Sequence, residues 1–377
     1  MSPSGDALGA PQFRARTARV LTSMKGRSGG TTMDYNQIAL PREYHDSFQA
    51  ASDIYFCPDG NLSRKITRNE FSQQKKQAIH GLHVLDKRWN FVILLHYAVW
   101  LTAVTLSIRS HWLLIDLFLY AVGGLSLSTL SVLAHESSHN LFTRKPAVDQ
   151  LLGFFCGLPV LFSVAGYRVV HPLHHKFLHS EQDPDDIENV SANPSLLRFV
   201  YISVFVAGVY LYLIMVPLNA LRKGTREERV KVVAEWLAMA IIVGASWMLV
   251  PHRLMLKGWL YPLLVAGQFA NLRGIAEHGL TTGQNEFTDT RTVTTHPALA
   301  FMMCNINYHL EHHLYPGIPW YNLPKLHVLL HNDYMEAGSS VYRSYTVFLG
   351  DVAKALVHGV VPGSRLIPSH IREVVCL

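Results

Sequence analysis

Histidines recur in this chain at spacings that do metal chemistry. Ala134–Asn140 reads AHESSHN, which fits H-E-x-x-H, the pattern in which two histidines one helical turn apart bind Zn²⁺ and the glutamate acts as general base. Two further groups follow: His171, His174 and His175 in HPLHH, and His309, His312 and His313 in HLEHH. On a helix, positions i, i+3 and i+4 share a face, so each group aims two or three imidazoles at one point. With His135 and His139 this makes eight. A catalytic zinc takes three protein ligands and keeps a position open, so eight over-supply it, whereas they are enough for two metal ions of higher coordination number. Imidazole suits Fe, Cu, Ni and Zn alike. Zinc has no redox chemistry, whereas iron reduces O₂ and so opens a route to unactivated C–H bonds.

The elements that must position these groups are apolar. The 377 residues are 49% hydrophobic and only 16% charged, where soluble chains carry nearer a quarter. Six apolar stretches run from about Phe91 to Ile108, Trp112 to Ala134, Leu151 to Ala165, Phe199 to Leu221, Val232 to Val250 and Trp259 to Leu272. The first two approach the ~20 residues that cross a ~30 Å hydrocarbon core, and a short RSH turn makes them a hairpin. The third is interrupted by GLP; the sixth is short and holds Pro262 and Gln268. If the groups after the second, third and sixth stretches share one side, the simplest solution is four crossings, with the third and sixth interfacial or re-entrant. The LRKGTREERVK loop, with Arg222, Lys223, Arg226, Arg229 and Lys231, resists this assignment, because the positive-inside rule puts it in the cytoplasm. His96 lies inside the first stretch, where an ionisable side chain should face the bundle and be hydrogen-bonded.

Residues 1–33 are rich in Gly, Ser, Thr and Arg with no apolar core, which reads as a disordered tail and not a secretory signal. Residues 34–89 read as a polar cytosolic or interfacial segment with a helix from about Thr67 to His83. Residues 90–335 hold the boxes and apolar stretches, and 336–377 form a cytosolic C-terminal segment. The net charge of +6 sits mostly in the tail and beside apolar stretches, which suits anionic lipid headgroups; no nucleic-acid-reading module accompanies it. Four dispersed cysteines with no C-x-x-C pair argue against a disulfide framework or thiolate metal site.

HESSH, HPLHH and HLEHH, in this order and with these separations, resemble the three histidine boxes of the membrane fatty-acid desaturase-like superfamily. The resemblance covers roughly residues 90–335, and NYHLEHHLYPGIPWYNLPKLH is especially similar to the third-box region of bacterial members. It implies an all-α integral membrane protein: about four transmembrane helices in two hairpins, interfacial helices, and a cytosolic helical cap carrying a di-iron site. It implies two Fe ions with O₂ as co-substrate, ligated by His135, His139, His171, His174, His175, His309, His312 and His313. The family's ninth histidine matches His278. Acyl-CoA desaturases carry Asn four residues before it, where this chain has Gly274; front-end desaturases begin the third box with Gln, where this chain has His309. No H-P-G-G haem signature is present, so electrons would come from an external ferredoxin or cytochrome b5-type donor with its reductase. The expected setting is a bacterial inner membrane or an endoplasmic-reticulum-type membrane, with the site on the cytosolic side.

Carboxylates near ligand imidazoles commonly orient them. Glu136, Asp183, Asp185, Glu277 and Glu311 are candidates for this, as is His179 four residues after His175; Glu136, Glu277 and Glu311 are alternatively ion-pair partners of Arg168, Arg273 or Arg291. The expected activity is O₂-dependent oxidation of a fatty acyl or lipid alkyl chain, foremost desaturation. The same ligands in family variants give hydroxylation, ketolation or oxidative decarboxylation to a terminal alkene. Rival readings are a membrane zinc protease on His135, Glu136 and His139, which leaves six box histidines unexplained, and a haem or metal-ion transporter, which the position of the boxes at segment ends disfavours.

Overall fold

The computed structural model describes residues 67–186, 189, 193–281 and 285–357. The expected tail (1–33), most of the polar segment after it and the last twenty residues lie outside the described residues. The expected Thr67–His83 helix is in fact two pieces, a 3₁₀ turn Arg68–Glu70 and α1, Gln73–Leu82. Ser72 divides them because its hydroxyl caps α1 by accepting the Lys75 N–H, while Phe71 packs edge-on against Phe287.

A hairpin of α2 (Phe91–Arg109) and α3 (Leu113–Ser138) forms the centre. Leu94, Leu101, Leu106, Leu114 and Phe118 are exposed on it, and a helix apolar on its outer face as well belongs in an apolar medium. Among the described residues three helical segments are long and apolar enough to cross a membrane: Lys87–Arg109, Leu113–Ser138 and Arg226–Leu249. A fourth counts if the third stretch is taken as one broken span. That stretch is α4 (Pro146–Gly157), a 3₁₀ turn and α5 (Val164–Phe177), bent by 101°. Gly157 permits the bend, since a Cβ there would lie 2.3 Å from the Phe162 carbonyl oxygen. Ser163 caps α5, and Glu235 reaches in to accept the Ala165 N–H at 3.0 Å.

Among the remaining stretches the contacts differ from the expectation that the sixth is interfacial or re-entrant. The fourth is α6 (Pro194–Lys223) and the fifth α7 (Arg226–Leu249), which opens on a Thr225–Glu228 capping box. A short α8 (His252–Met255), a π-turn (Leu256–Leu260) and α9 (Tyr261–His278) follow as one helical path. This path begins beside the α2–α3 turn, where Lys257 Nζ donates to Ser107 O at 2.9 Å and pairs with Asp116 at 2.7 Å. It ends among the box histidines, so the sixth stretch runs the length of α3 and does not stop short. The fourth instead starts and finishes on the histidine side. Asn189 donates to the Ser180 and Asp183 carbonyls just before α6, and Asn219 and Lys223 donate to Pro184 O and Gln182 O at its end. The polar turn residues decide this, and apolar length does not reveal it. The cationic loop after α6 therefore lies on the same side as the histidines.

The fold is not wholly α. β1 (Arg291–Val293) pairs in parallel with β2 (Ser340–Tyr342), flanked by α10 (Pro297–Met302), α11 (His309–Leu314), α12 (Leu323–Ala337) and α13 (Tyr345–Val357). β1 is fully buried, and extended chain there satisfies its backbone groups against both β2 and Asn307. His96 faces the bundle and is fully buried, but neither ring nitrogen has a hydrogen-bond partner among the described residues, so packing alone holds it.

Candidate metal centre

The end of α3, the C-terminal half of α5, the last residue of α9 and the short α11 converge. His135 lies in the last turn of α3 and His139 follows its last residue, where the chain turns through Asn140 in the left-handed region. The nine histidines separate into two groups. Ligand nitrogens of His135, His139, His171, His175 and His312 all lie within 4.8 Å of one another. His174, His278 and His313 form a second group, joined by His309 through His278. On α5 the split follows helical geometry, with His171 and His175 one turn apart in the first group and His174 turned into the second.

Several nitrogens meet closely: His139 Nε2 and His171 Nε2 at 3.0 Å, His171 Nε2 and His175 Nε2 at 2.9 Å, His278 Nε2 and His309 Nε2 at 3.0 Å. A neutral imidazole has one donor and one acceptor nitrogen, so His171 Nε2 cannot satisfy two such neighbours well by hydrogen bonds alone. Imidazole nitrogens about 2.1 Å from one metal ion and at right angles to each other are ~3.0 Å apart, which is this spacing. Both ring nitrogens of His135 and His312 and one each of His171, His278, His309 and His313 are buried without a hydrogen-bond partner among the described residues. Each ring gives one nitrogen to an ion, and the close Nε2 atoms of His139, His171, His175, His278 and His309 with the unpartnered nitrogens of His135 and His312 fit as donors to two metal ions. Burial depresses the pKa of His139 to about 3 and holds His309, His312 and His313 well below the ordinary value, with neighbouring imidazoles adding to the effect on these last three. Neutral imidazoles are the ligand form.

Around the ligands, His174 Nδ1 meets Asp183 at 3.0 Å and Asp185 at 4.0 Å. Glu136 Oε1 lies 3.7 Å from His135 Nδ1, and its other oxygen accepts the Trp320 N–H at 3.2 Å. Glu277 lies 3.6 Å from His309 Nδ1 and 3.3 Å from Arg273, joining both roles expected of it. Glu311 turns away from the ligands, accepting from Thr292 and His327. His179 Nε2 binds the Asp289 carbonyl at 2.6 Å and not a ligand imidazole. Arg168 donates to the Ser137 carbonyl and Asn140, leaving Arg273 as the cation paired with a candidate carboxylate.

Tyr167, Tyr212, Thr292 and His327 were missed in the sequence. Tyr167 stacks on His171 at 4.3 Å, and Tyr212 donates to Asp185 at 3.0 Å. Tyr167 sits four residues before His171, a spacing that marks it. Tyr212, Thr292 and His327 come from other segments and carry no local signal.

The structure is an apolar helical bundle closed at one end by nine convergent histidines that could hold metal. The chain belongs to the fatty acid desaturase family, whose sequence profile matches residues 110–346. It is 28% identical over 227 residues to the sphingolipid delta(4)-desaturase of Candida albicans, covering 55% of this chain and 60% of that one. It is 24% identical over 294 residues to the sn-1 oleoyl-lipid 12-desaturase of a Picosynechococcus strain (72% and 82% coverage), and 28% identical over 266 residues to a human sphingolipid delta(4)-desaturase/C4-monooxygenase (66% and 76%). The chain thus spans about 60% of the length of the fungal relative.

Proposed function

We propose that the protein is an integral membrane, O₂-dependent oxidoreductase that desaturates the alkyl chain of a fatty acyl or other lipid at a histidine-held di-iron site. The observation that carries this is the division of nine histidines into groups of five and four at the end of an apolar bundle. Two irons bound there would supply O₂ reduction and abstraction of hydrogen from C–H bonds. The balance is two hydrogens from adjacent carbons, two external electrons and two protons, reducing O₂ to two waters. An external ferredoxin or cytochrome b5-type donor supplies the electrons.

The chain's own part is positional. Burial favours the neutral form of His139, His309, His312 and His313, Asp183 accepts from His174 Nδ1 and so leaves Nε2 as the ligand atom, and the Glu277 carboxylate lies near His309 Nδ1 without a hydrogen bond to it. The α2–α3 and α7–α9 hairpins make four crossings in this reading, with α4, α5 and α6 along the interface. That places Arg222, Lys223, Arg226 and Arg229 on the histidine side, which the positive-inside rule makes cytosolic.

Hydroxylation is the second reading, and one relative's name joins desaturase with C4-monooxygenase. Lipids from cells expressing the chain, analysed by mass spectrometry under ¹⁸O₂, separate the two: new double bonds without label support desaturation, and labelled hydroxyls support hydroxylation. Unchanged lipids in cells that supply electron donors, with iron-loaded protein present, would overturn both.

A further inference from the structure

β1 lies beside the metal centre and contributes no ligand, yet two consecutive residues on it reach two different histidine-bearing segments. Arg291 is 1% exposed. Its Nη1 donates to the Ala276 carbonyl at 3.1 Å and to the Gly279 carbonyl, and its Nη2 to the Leu280 carbonyl at 2.9 Å. Its Nε donates to Ser340 Oγ at 2.9 Å, and the Tyr342 and Phe348 rings lie 4.9 and 4.8 Å from the guanidinium carbon. No carboxylate forms an ion pair with it among the described residues. A buried cation is costly unless its charge and protons are met, and here the carbonyls at the end of α9 meet them. The Ala276 carbonyl belongs to the last turn of α9, the negative end of its dipole, and Gly279 and Leu280 follow directly after it. Gly279 N–H closes on Ile275 O and Thr281 Oγ1 on His278 O, so the backbone on both sides of His278 is fixed.

The next residue, Thr292, donates its hydroxyl to Glu311, which sits between His309 and His312 on α11. The β1 backbone continues the link: Val293 N donates to Asn307 O at 3.0 Å, and Asn307 Nδ2 returns to Val293 O at 3.0 Å. α11 is only six residues long and cannot hold its own place. His278 and His309, whose Nε2 atoms are 3.0 Å apart, therefore have β1 as a shared anchor.

We propose that β1 is a yoke for the second metal ion, with Arg291 and Thr292 as positioning residues that set His278 against His309 and His313. The proposal rests on the reading that the nine histidines hold two irons. The first group takes four of its five ligands from α3 and α5 and the residue after α3, so weakening the yoke should empty the second group selectively.

The experiment measures iron per chain and the Mössbauer spectrum of iron-reconstituted protein for wild type, Arg291→Lys, Thr292→Val and Thr292→Ser. Lysine keeps the charge but cannot reach three carbonyls in a fork. The expected result is about two irons in wild type and Thr292→Ser, and about one in Arg291→Lys, since loss of an outer-shell partner commonly weakens metal binding 10–100-fold. Thr292→Val should fall between. Size-exclusion in detergent checks folding; a misfolded Arg291→Lys transfers the decision to the valine and serine pair. Two irons and an unchanged spectrum in Arg291→Lys, or in a folded Thr292→Val if the lysine variant misfolds, overturn the yoke. A wild-type protein that never takes up two irons instead overturns the di-iron reading beneath it.

Discussion

His174 Nδ1 and Asp183 Oδ1 are 3.0 Å apart with both side chains buried. The contact fixes which ring nitrogen carries the proton and leaves Nε2 facing His278 and His313. Asp183 is itself held, since its carboxylate accepts the Asp185 N–H at 3.0 Å. Asp183→Asn keeps the shape but offers a weaker, neutral acceptor. It should lower metal affinity about 10–100-fold, read by competition with a graded chelator, with His175→Ala as the severe control. Wild-type affinity in the asparagine variant would remove Asp183 from the centre.

Glu311 and His327 form a buried pair within 5% exposure, which joins α11 to α12. Replacing His327 by Ala leaves the carboxylate with the Thr292 hydroxyl. Breaking a buried pair from one side costs roughly 3–5 kcal/mol, so the thermal midpoint should fall sharply, and His327→Gln, which keeps a donor, should restore part of it. Equal midpoints for the alanine variant and wild type would show that the pair contributes nothing.

Asp289 provides a pH test away from the ligands. Burial, reinforced by the nearby Glu286 charge, raises its carboxyl to about 7, against the usual value of 3.8. A group whose folded-state pKa is raised contributes most below the unfolded pKa, and that contribution is lost as pH climbs through the folded one. Between about pH 4 and 7 the protein should therefore lose up to roughly 4 kcal/mol through this group. Asp289→Asn should flatten that part of the stability profile and stabilise the protein at pH 8. An unchanged slope would place the titration elsewhere.

The spacing of His135, His139, His171, His174, His175, His309, His312 and His313 made the centre legible, because helical period converts sequence distance directly into direction. The hairpin of α2 and α3 was legible for the same reason, through continuous apolar length. The roles of the fourth and sixth stretches were not. They turn on contacts such as Lys257 with Asp116 and Lys223 with Gln182, between residues far apart in sequence. His327 was equally hidden, and Arg291, expected to pair with a carboxylate, meets carbonyls instead, since each meets its partners only after β1 and α12 have docked. Glu311 was read as an orienting carboxylate or a partner of an arginine, and the spacing gave no hint that it accepts from Thr292 and His327 instead.

Metal removal tests the centre as a whole. Both nitrogens of His135 and His312 are buried without a hydrogen-bond partner among the described residues, and a bound cation would take up one nitrogen of each ring and offset its desolvation cost. A ligand that binds only the folded state stabilises it by mass action, about 4 kcal/mol at a thousand times its Kd. Chelation should therefore lower the thermal midpoint, and Fe²⁺ should restore it in two steps if the groups of five and four fill separately. Mg²⁺ should not, because it requires oxygen ligands and sheds water reluctantly. The His312→Ala variant should retain the second step while weakening the first, since His312 belongs to the group of five. A midpoint indifferent to complete metal removal would mean that the histidines are packed for structure, and the di-iron reading would fall with it.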